Sequence, residues 1–199
     1  CKTHIVNGSG VNINKFSFSE QPKNEVSFLL VSRLLGEKGL REYAAAAQIV
    51  KDKFPSAKFD IVGAEDASLD AISIEEVNSW SDYVSYNGFT NDVRPYIKKC
   101  NVYVLPSYHE GLPRSTLEAM SMGRPVLTTN AVGCKETVEE GENGFKVPIG
   151  SSKKLAHKMI WFIENKDKIE MMGRKSRKII ENKFDVNKVN KEMLKILGI

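Results

Sequence analysis

Two pairs of residues in this chain carry chemistry that folding alone does not demand. Arg33 and Lys38 lie five residues apart on the loop Ser32-Arg33-Leu34-Leu35-Gly36-Glu37-Lys38-Gly39. A planar guanidinium beside a point-charge ammonium can neutralise a diphosphate. The competing reading is two surface cations at a helix start, a poor place for them because the helix dipole already presents positive charge there. Cations on positive potential make sense when an anion sits between. Glu110 and Glu118 form the second pair, on either side of Pro113-Arg114-Ser115-Thr116-Leu117. Pro113 suits the first turn of a helix, where its missing N–H costs nothing. The N–H groups of Arg114, Ser115 and Thr116 are then free to point into a crevice. Glu118 leans back toward the helix N-terminus, over Arg114 and Ser115. Two acceptors flank a nest of donors, and a carboxylate accepts the hydroxyl pair of a sugar or ribose well. Against this, Glu118 can simply pair with Arg114 four residues earlier; spacing alone leaves both open.

The elements that must position these residues alternate. Continuous apolar runs predict strands at 26–31, 58–62, 84–86, 102–105, 125–128 and 144–147. Helical periodicity predicts helices over 40–54, 73–83, a segment capped by Asn91 with Val93, Tyr96, Ile97 and Cys100 on its apolar face, 113–122, a short one near 135–139, and then 153–165, 168–183 and 186–197. Strands that are apolar throughout and alternate with helices predict an α/β fold, a Rossmann-like parallel sheet with helices on both faces. Ligands of such sheets bind beyond the carboxyl ends of the strands. The segments there are Ser32–Gly39, Gly63, Asn87-Gly88-Phe89, Ser107–Gly111 and Thr128–Gly133. The glycines, both cations and Glu110 therefore fall on one rim.

Composition closes off other classes. With 199 residues, 41% hydrophobic and 27% charged, the chain has an ordinary globular balance. No apolar run approaches the ~20 residues of a membrane helix. The 29 Lys and Arg against 25 Asp and Glu are unevenly placed: residues 151–199 hold 13 against 6, and residues 1–150 hold 16 against 19. A basic C-terminal segment suits an anionic membrane surface, nucleic acid, or a plain solvated helical face. Cys1, Cys100 and Cys134 form no CxxC, which fits a reducing cytosol and no structural zinc. His4, His109 and His157 lack metal-ligand spacing, and His109 is either a pocket residue or a loop residue. Glu136 is either a ligand contact or a first-turn helix residue. There is no Asp-x-Asp pair, no nucleophile elbow at Ser107 or Ser115, and no G-x-G-x-x-G. Residues 1–24 show no periodic element and read as a linker or edge segment; a start at Cys1 suggests a piece of a longer protein.

Glu110-Gly111-Leu112-Pro113-Arg114-Ser115-Thr116-Leu117-Glu118-Ala119-Met120 resembles the E-x7-E motif of retaining glycosyltransferases of family 4. Gly123-Arg124-Pro125-Val126 and Asn143-Gly144-Phe145-Lys146-Val147-Pro148 continue the resemblance downstream. Upstream, Ser32-Arg33-Leu34 through Lys38-Gly39 resembles the family's G-R-L…K-G loop with Ser32 in place of Gly, and Ser9-Gly10-Val11-Asn12 resembles its interdomain linker. The resemblance implies the C-terminal, nucleotide-sugar-binding half of a GT-B fold: a linker at 1–24, the donor domain at 25–183, and a final helix, 184–199, directed toward an absent N-terminal acceptor domain. It implies that Arg33 and Lys38 hold the donor diphosphate and stabilise its charge, that Glu110 contacts the transferred sugar, and that Glu118 binds the ribose hydroxyls. It implies too that the backbone from Gly111 through Leu112, Pro113, Arg114, Ser115 and Thr116 to Leu117 touches sugar and phosphate, through its amides at every position but Pro113. By the same resemblance, Gly88-Phe89, with Gly63 nearby, looks like the base-binding edge.

Val132-Gly133-Cys134-Lys135-Glu136 departs from the commoner G-G-x-P-E form and resembles bacterial enzymes that add N-acetylhexosamines or related sugars to undecaprenyl-diphosphate-linked acceptors. The donor implied is a UDP-sugar, with no cofactor and no metal. The implied partners are a glycan or lipid-linked acceptor and a peripheral membrane contact, with no nucleic acid. The implied site of action is the cytoplasm, at the inner face of the plasma membrane, in surface polysaccharide synthesis. Rival readings are a glycosidase using Glu110 and Glu118, a GT-B sugar-nucleotide epimerase, and a non-catalytic nucleotide-sugar-binding subunit.

Overall fold

The computed structural model of the protein describes residues 8–23 and 25–197. It contains one six-stranded, all-parallel sheet in the order β3-β2-β1-β4-β5-β6. The strands are β1 Ser27–Val31, β2 Lys58–Val62, β3 Ser85–Tyr86, β4 Val102–Leu105, β5 Val126–Thr129 and β6 Gly144–Val147. The helices are α1 Leu40–Lys53, α2 Ile74–Asn78, α3 Arg94–Lys99, α4 Arg114–Ser121, α5 Ser152–Glu164, α6 Lys166–Ile179 and α7 Val186–Leu197. This is the Rossmann-like arrangement, and its strand order reverses between β1 and β4, where a ligand crevice belongs.

Both faces of the sheet are covered, which is why the strands lack polar alternation. On one face Phe28, Leu30, Phe59 and Ile61 pack with Tyr43 and Ala47 of α1 and Leu155, Met159 and Phe162 of α5. On the other, Leu29, Val31, Tyr103 and Leu105 pack with Ile97 of α3 and Leu117 and Met120 of α4. Alternate residues of one strand thus enter different cores.

Three helices differ from expectation. Asn91 does not cap α3; Val93 is the N-cap, and the Asp92 carboxylate accepts from the Arg94 N–H at 3.1 Å. A helix begun at Asn91 would put Pro95 where its absent N–H is needed. The helix expected over 73–83 stops at Asn78, and the Ser79 hydroxyl donates to the Glu76 carbonyl at 2.6 Å. Such back-bonding competes with helix propagation. The helix expected over 168–183 begins earlier, at Lys166, and leaves α geometry at Ile180, where residues Ile180–Phe184 form a π-helical turn.

Residues 8–23 are packed on the domain rather than free of it. Val11 bridges Asp185, and the Ser121 hydroxyl donates to the Phe16 carbonyl at 2.6 Å. Arg124, fully buried, donates to the Ile97 carbonyl at 2.9 Å and to the Ser19 hydroxyl at 2.6 Å. The basic C-terminal segment is in part a solvated, ion-paired face, with Arg174 on Glu170, Arg177 on Glu181 and Lys183 on Glu139. Cys100 and Cys134 are buried free thiols, and burial pushes Cys100 up to about 12. Cys1 and His4 lie outside the described residues, as does part of the segment read as a linker. Among the described residues no helix is long and apolar enough to cross a membrane.

Candidate functional site

At the carboxyl ends of the strands lies a cleft of about 430 Å³. Arg33, Lys38, Gly63, Phe89, Glu110, Pro113, Arg114, Ser115 and Glu118 all line it, from segments far apart in sequence. Ala64, Thr90 and Val93 complete one wall.

The loop after β1 reaches the loop after β4 through close backbone contact. Gly39 has φ +75°, and a side chain there would run into the Pro106 carbonyl. The Glu37 carbonyl accepts from the Tyr108 N–H at 2.8 Å and from the Ser107 hydroxyl at 3.1 Å. These contacts bring the Lys38 ammonium to 2.9 Å from Glu110 and 3.1 Å from Glu37. Burial alone would lower the Lys38 pKa, but the two carboxylates outweigh it and leave the group raised. Glu110 is fixed from its other side as well. Its N–H donates to the Val132 carbonyl at 3.1 Å, and Gly133, at φ +82°, passes so near the Glu110 and Gly111 carbonyls that no Cβ fits.

Arg33 is held differently. It is largely exposed, and its guanidinium donates to Asp66 at 2.6 Å. Hydrogen bonds from Ser68, and then Arg33, hold the Asp66 carboxyl below its usual range.

Pro113 stands at the N-cap of α4, with φ −71° and ψ 110°. The first helical amide with a backbone acceptor is that of Leu117, which donates to Pro113 at 3.2 Å. Among the described residues the N–H groups of Arg114, Ser115 and Thr116 have no such partner, so three donors stand bare at the positive end of a helix. Glu118 forms no ion pair with Arg114 or any other described residue, which decides against the alternative raised by the spacing. Burial raises the Glu118 carboxyl above its ordinary value, while Arg114 and Lys15 pull the other way. A half-buried carboxylate without a partner, beside bare amides, is an acceptor poised for a ligand.

Other expected residues fall elsewhere. Leu117 is buried in the core and its amide is spent. Thr116 is buried with its hydroxyl unpaired, and only its amide is available. Leu112 packs beside Gly8, Gly111 faces open space, and Gly88 does not line the cleft, its carbonyl accepting from the Gly63 N–H at 2.9 Å. His109 and Glu136 are exposed and do not line the cleft. Two participants escaped the sequence reading. Asp66 carries no motif. Tyr103 left a signal, a lone hydroxyl inside the apolar run Val102–Leu105; it lies beneath the cleft against Ser115 at 2.7 Å.

Residues 12–179 match the family described as glycosyl transferases group 1. The chain is 28% identical, over 98% of its length and 54% of the relative's, to the N,N'-diacetylbacillosaminyl-diphospho-undecaprenol alpha-1,3-N-acetylgalactosaminyltransferase of Campylobacter jejuni. It is 32% identical, over 77% of its length and 41% of the relative's, to the capsular polysaccharide biosynthesis glycosyltransferase CapM of Staphylococcus aureus. It superposes on Anabaena Alr3699/HepE in complex with UDP-glucose with a TM-score of 0.82 and 25% identity, covering 95% of this chain and 56% of that one. The chain thus spans about half the length of these relatives.

Proposed function

This chain belongs to the glycosyl transferases group 1 family, and on that premise we propose that it is the donor-binding half of a retaining glycosyltransferase of family 4, GT-B in fold. The observation that carries the reading is the convergence of Arg33, Lys38, three bare amides and the unpartnered Glu118 on one cleft. Cations and amides bind a diphosphate, and the carboxylate clasps the adjoining ribose diol.

The donor is a UDP-sugar, and Phe89, two-thirds exposed at 67%, lies at the base-binding edge. As the bond between the anomeric carbon and the diphosphate breaks, charge grows on the leaving oxygens. Lys38 and the first turn of α4 stand ready to stabilise it, and Arg33 joins them on leaving Asp66. The acceptor hydroxyl approaches on the same face and passes its proton to the leaving diphosphate, so the anomeric configuration is retained. Glu110, anchored by Lys38 and Gly133, positions the sugar. The reading calls for no divalent metal: Arg33, on leaving Asp66, and Lys38 share the diphosphate charge with the bare amides of α4.

The Val132-Gly133-Cys134-Lys135-Glu136 segment and the activity named for the Campylobacter jejuni relative favour an N-acetylhexosamine and a polyprenyl-diphosphate or glycan acceptor in bacterial surface polysaccharide synthesis. We assign the acceptor to the remainder of the protein; Met193, Leu194 and Leu197 of α7 are exposed, which fits a contact with it. Action at the inner face of the plasma membrane follows from a lipid-linked acceptor. Calorimetric titration of the full-length protein with UDP and ADP, followed by NMR of the product anomer, tests the proposal. Saturable UDP binding stronger than that of ADP and a retained anomer are expected. Binding of neither nucleotide removes the donor site, and an inverted product removes the retaining mechanism.

A further inference from the structure

Tyr103 is fully buried on β4, on the sheet face that packs α4. Its hydroxyl lies 3.1 Å from the Val31 carbonyl and 2.7 Å from the Ser115 hydroxyl. The carbonyl can only accept, and the phenol has one proton. Both contacts are satisfied together in one arrangement: Ser115 donates to Tyr103, and Tyr103 donates to Val31. The Ser115 proton is then turned inward, and its lone pairs are left for the cleft that Ser115 lines. Ser115 and Glu118 are three residues apart on α4 and share a face. The first turn of the helix is thereby divided. Its bare amides suit an anion, whereas Ser115 and Glu118 accept from hydroxyl groups.

We propose that Tyr103 is a positioning residue that fixes the polarity of the Ser115 hydroxyl, making Ser115 a second acceptor, beside Glu118, for a ribose hydroxyl of the bound nucleotide. This rests on the nucleotide-binding reading above and specifies how the same cleft distinguishes a ribonucleotide from one lacking the diol. Phenylalanine at 103 keeps the packing and removes only the orienting oxygen.

The test is the ratio of affinities for UDP and 2′,3′-dideoxy-UDP, measured by calorimetry on the full-length protein and on Tyr103→Phe, Ser115→Ala and the double variant. One neutral hydrogen bond predicts that the preference for UDP falls about three- to tenfold in each single variant. The double variant falls no further, because the two residues act as one unit. A Tyr103→Phe change that merely loosened the fold lowers affinity for both nucleotides alike and leaves the ratio intact, which overturns the proposal. So does a ratio that falls in Ser115→Ala but not in Tyr103→Phe, or that falls multiplicatively in the double variant. Absence of UDP binding by the unaltered protein overturns the nucleotide site itself; firm binding with discrimination unmoved in both single variants overturns the Tyr103–Ser115 assignment alone.

Discussion

Replacing Glu118 by Gln separates function from stability. The carboxylate has no ion-pair partner among the described residues, and burial, partly offset by Arg114 and Lys15, raises its pKa. A carboxyl whose folded pKa exceeds its unfolded value makes the native state bind more protons. Its contribution is therefore favourable at low pH and is lost as pH rises through the folded value. At neutral pH the ionised Glu118 costs stability, and Glu118→Gln removes that cost. The variant is expected to melt above the parent at pH 7, with the difference shrinking toward pH 4. Ligand binding moves the opposite way. Hydrogen bonds to a charged acceptor contribute about 1.5–3 kcal/mol, so loss of the carboxylate weakens UDP by about ten- to a hundredfold. Scanning fluorimetry across pH and calorimetry with UDP measure both arms. A variant that melts lower at neutral pH and binds UDP within twofold of the parent refutes the account of Glu118 as a ligand-awaiting acid.

Further expectations concern the residues around it. Gly133→Val forces the Glu110 backbone away from Lys38; transfer falls steeply while UDP affinity changes little, as comparison of kcat with nucleotide binding reveals. Lys38→Ala removes a charge from the leaving diphosphate and is expected to lower kcat by about 10²–10³, the usual cost of one preorganised electrostatic contact, with single-turnover rates as the readout. Asp66→Asn frees Arg33, whose surface pairing is worth at most about 1 kcal/mol, so UDP binds up to about fivefold more tightly at low salt. An unchanged or weaker affinity in that variant means the Arg33–Asp66 pair does not compete with the nucleotide.

The sheet was legible because its strands are apolar throughout, and all six expected strands stand within a residue of their observed limits, with Lys58–Val62, Val102–Leu105 and Gly144–Val147 matching at both ends. The helix ends were less so. Pro95 and Ser79 act through local hydrogen bonding that an apolar period does not display. Within the cleft, Arg33, Lys38 and Glu110 were visible as charges on one rim, and Glu118 as an acid leaning back over the start of the next helix. The spacing could not show that Lys38 meets Glu110 across 72 residues, since that contact depends on Gly39 lying against Pro106. Nor could it reveal Asp66, an acid on a loop with no periodicity, or reject a Glu118–Arg114 pair that helical geometry permits.

The most direct measurement is a crystal structure of the full-length protein with UDP. The account places the diphosphate against the bare amides of Arg114, Ser115 and Thr116, within reach of Arg33 and Lys38, and the ribose on Glu118. Density for UDP elsewhere, or a ribose turned away from Glu118 with the diphosphate remote from the start of α4, contradicts it.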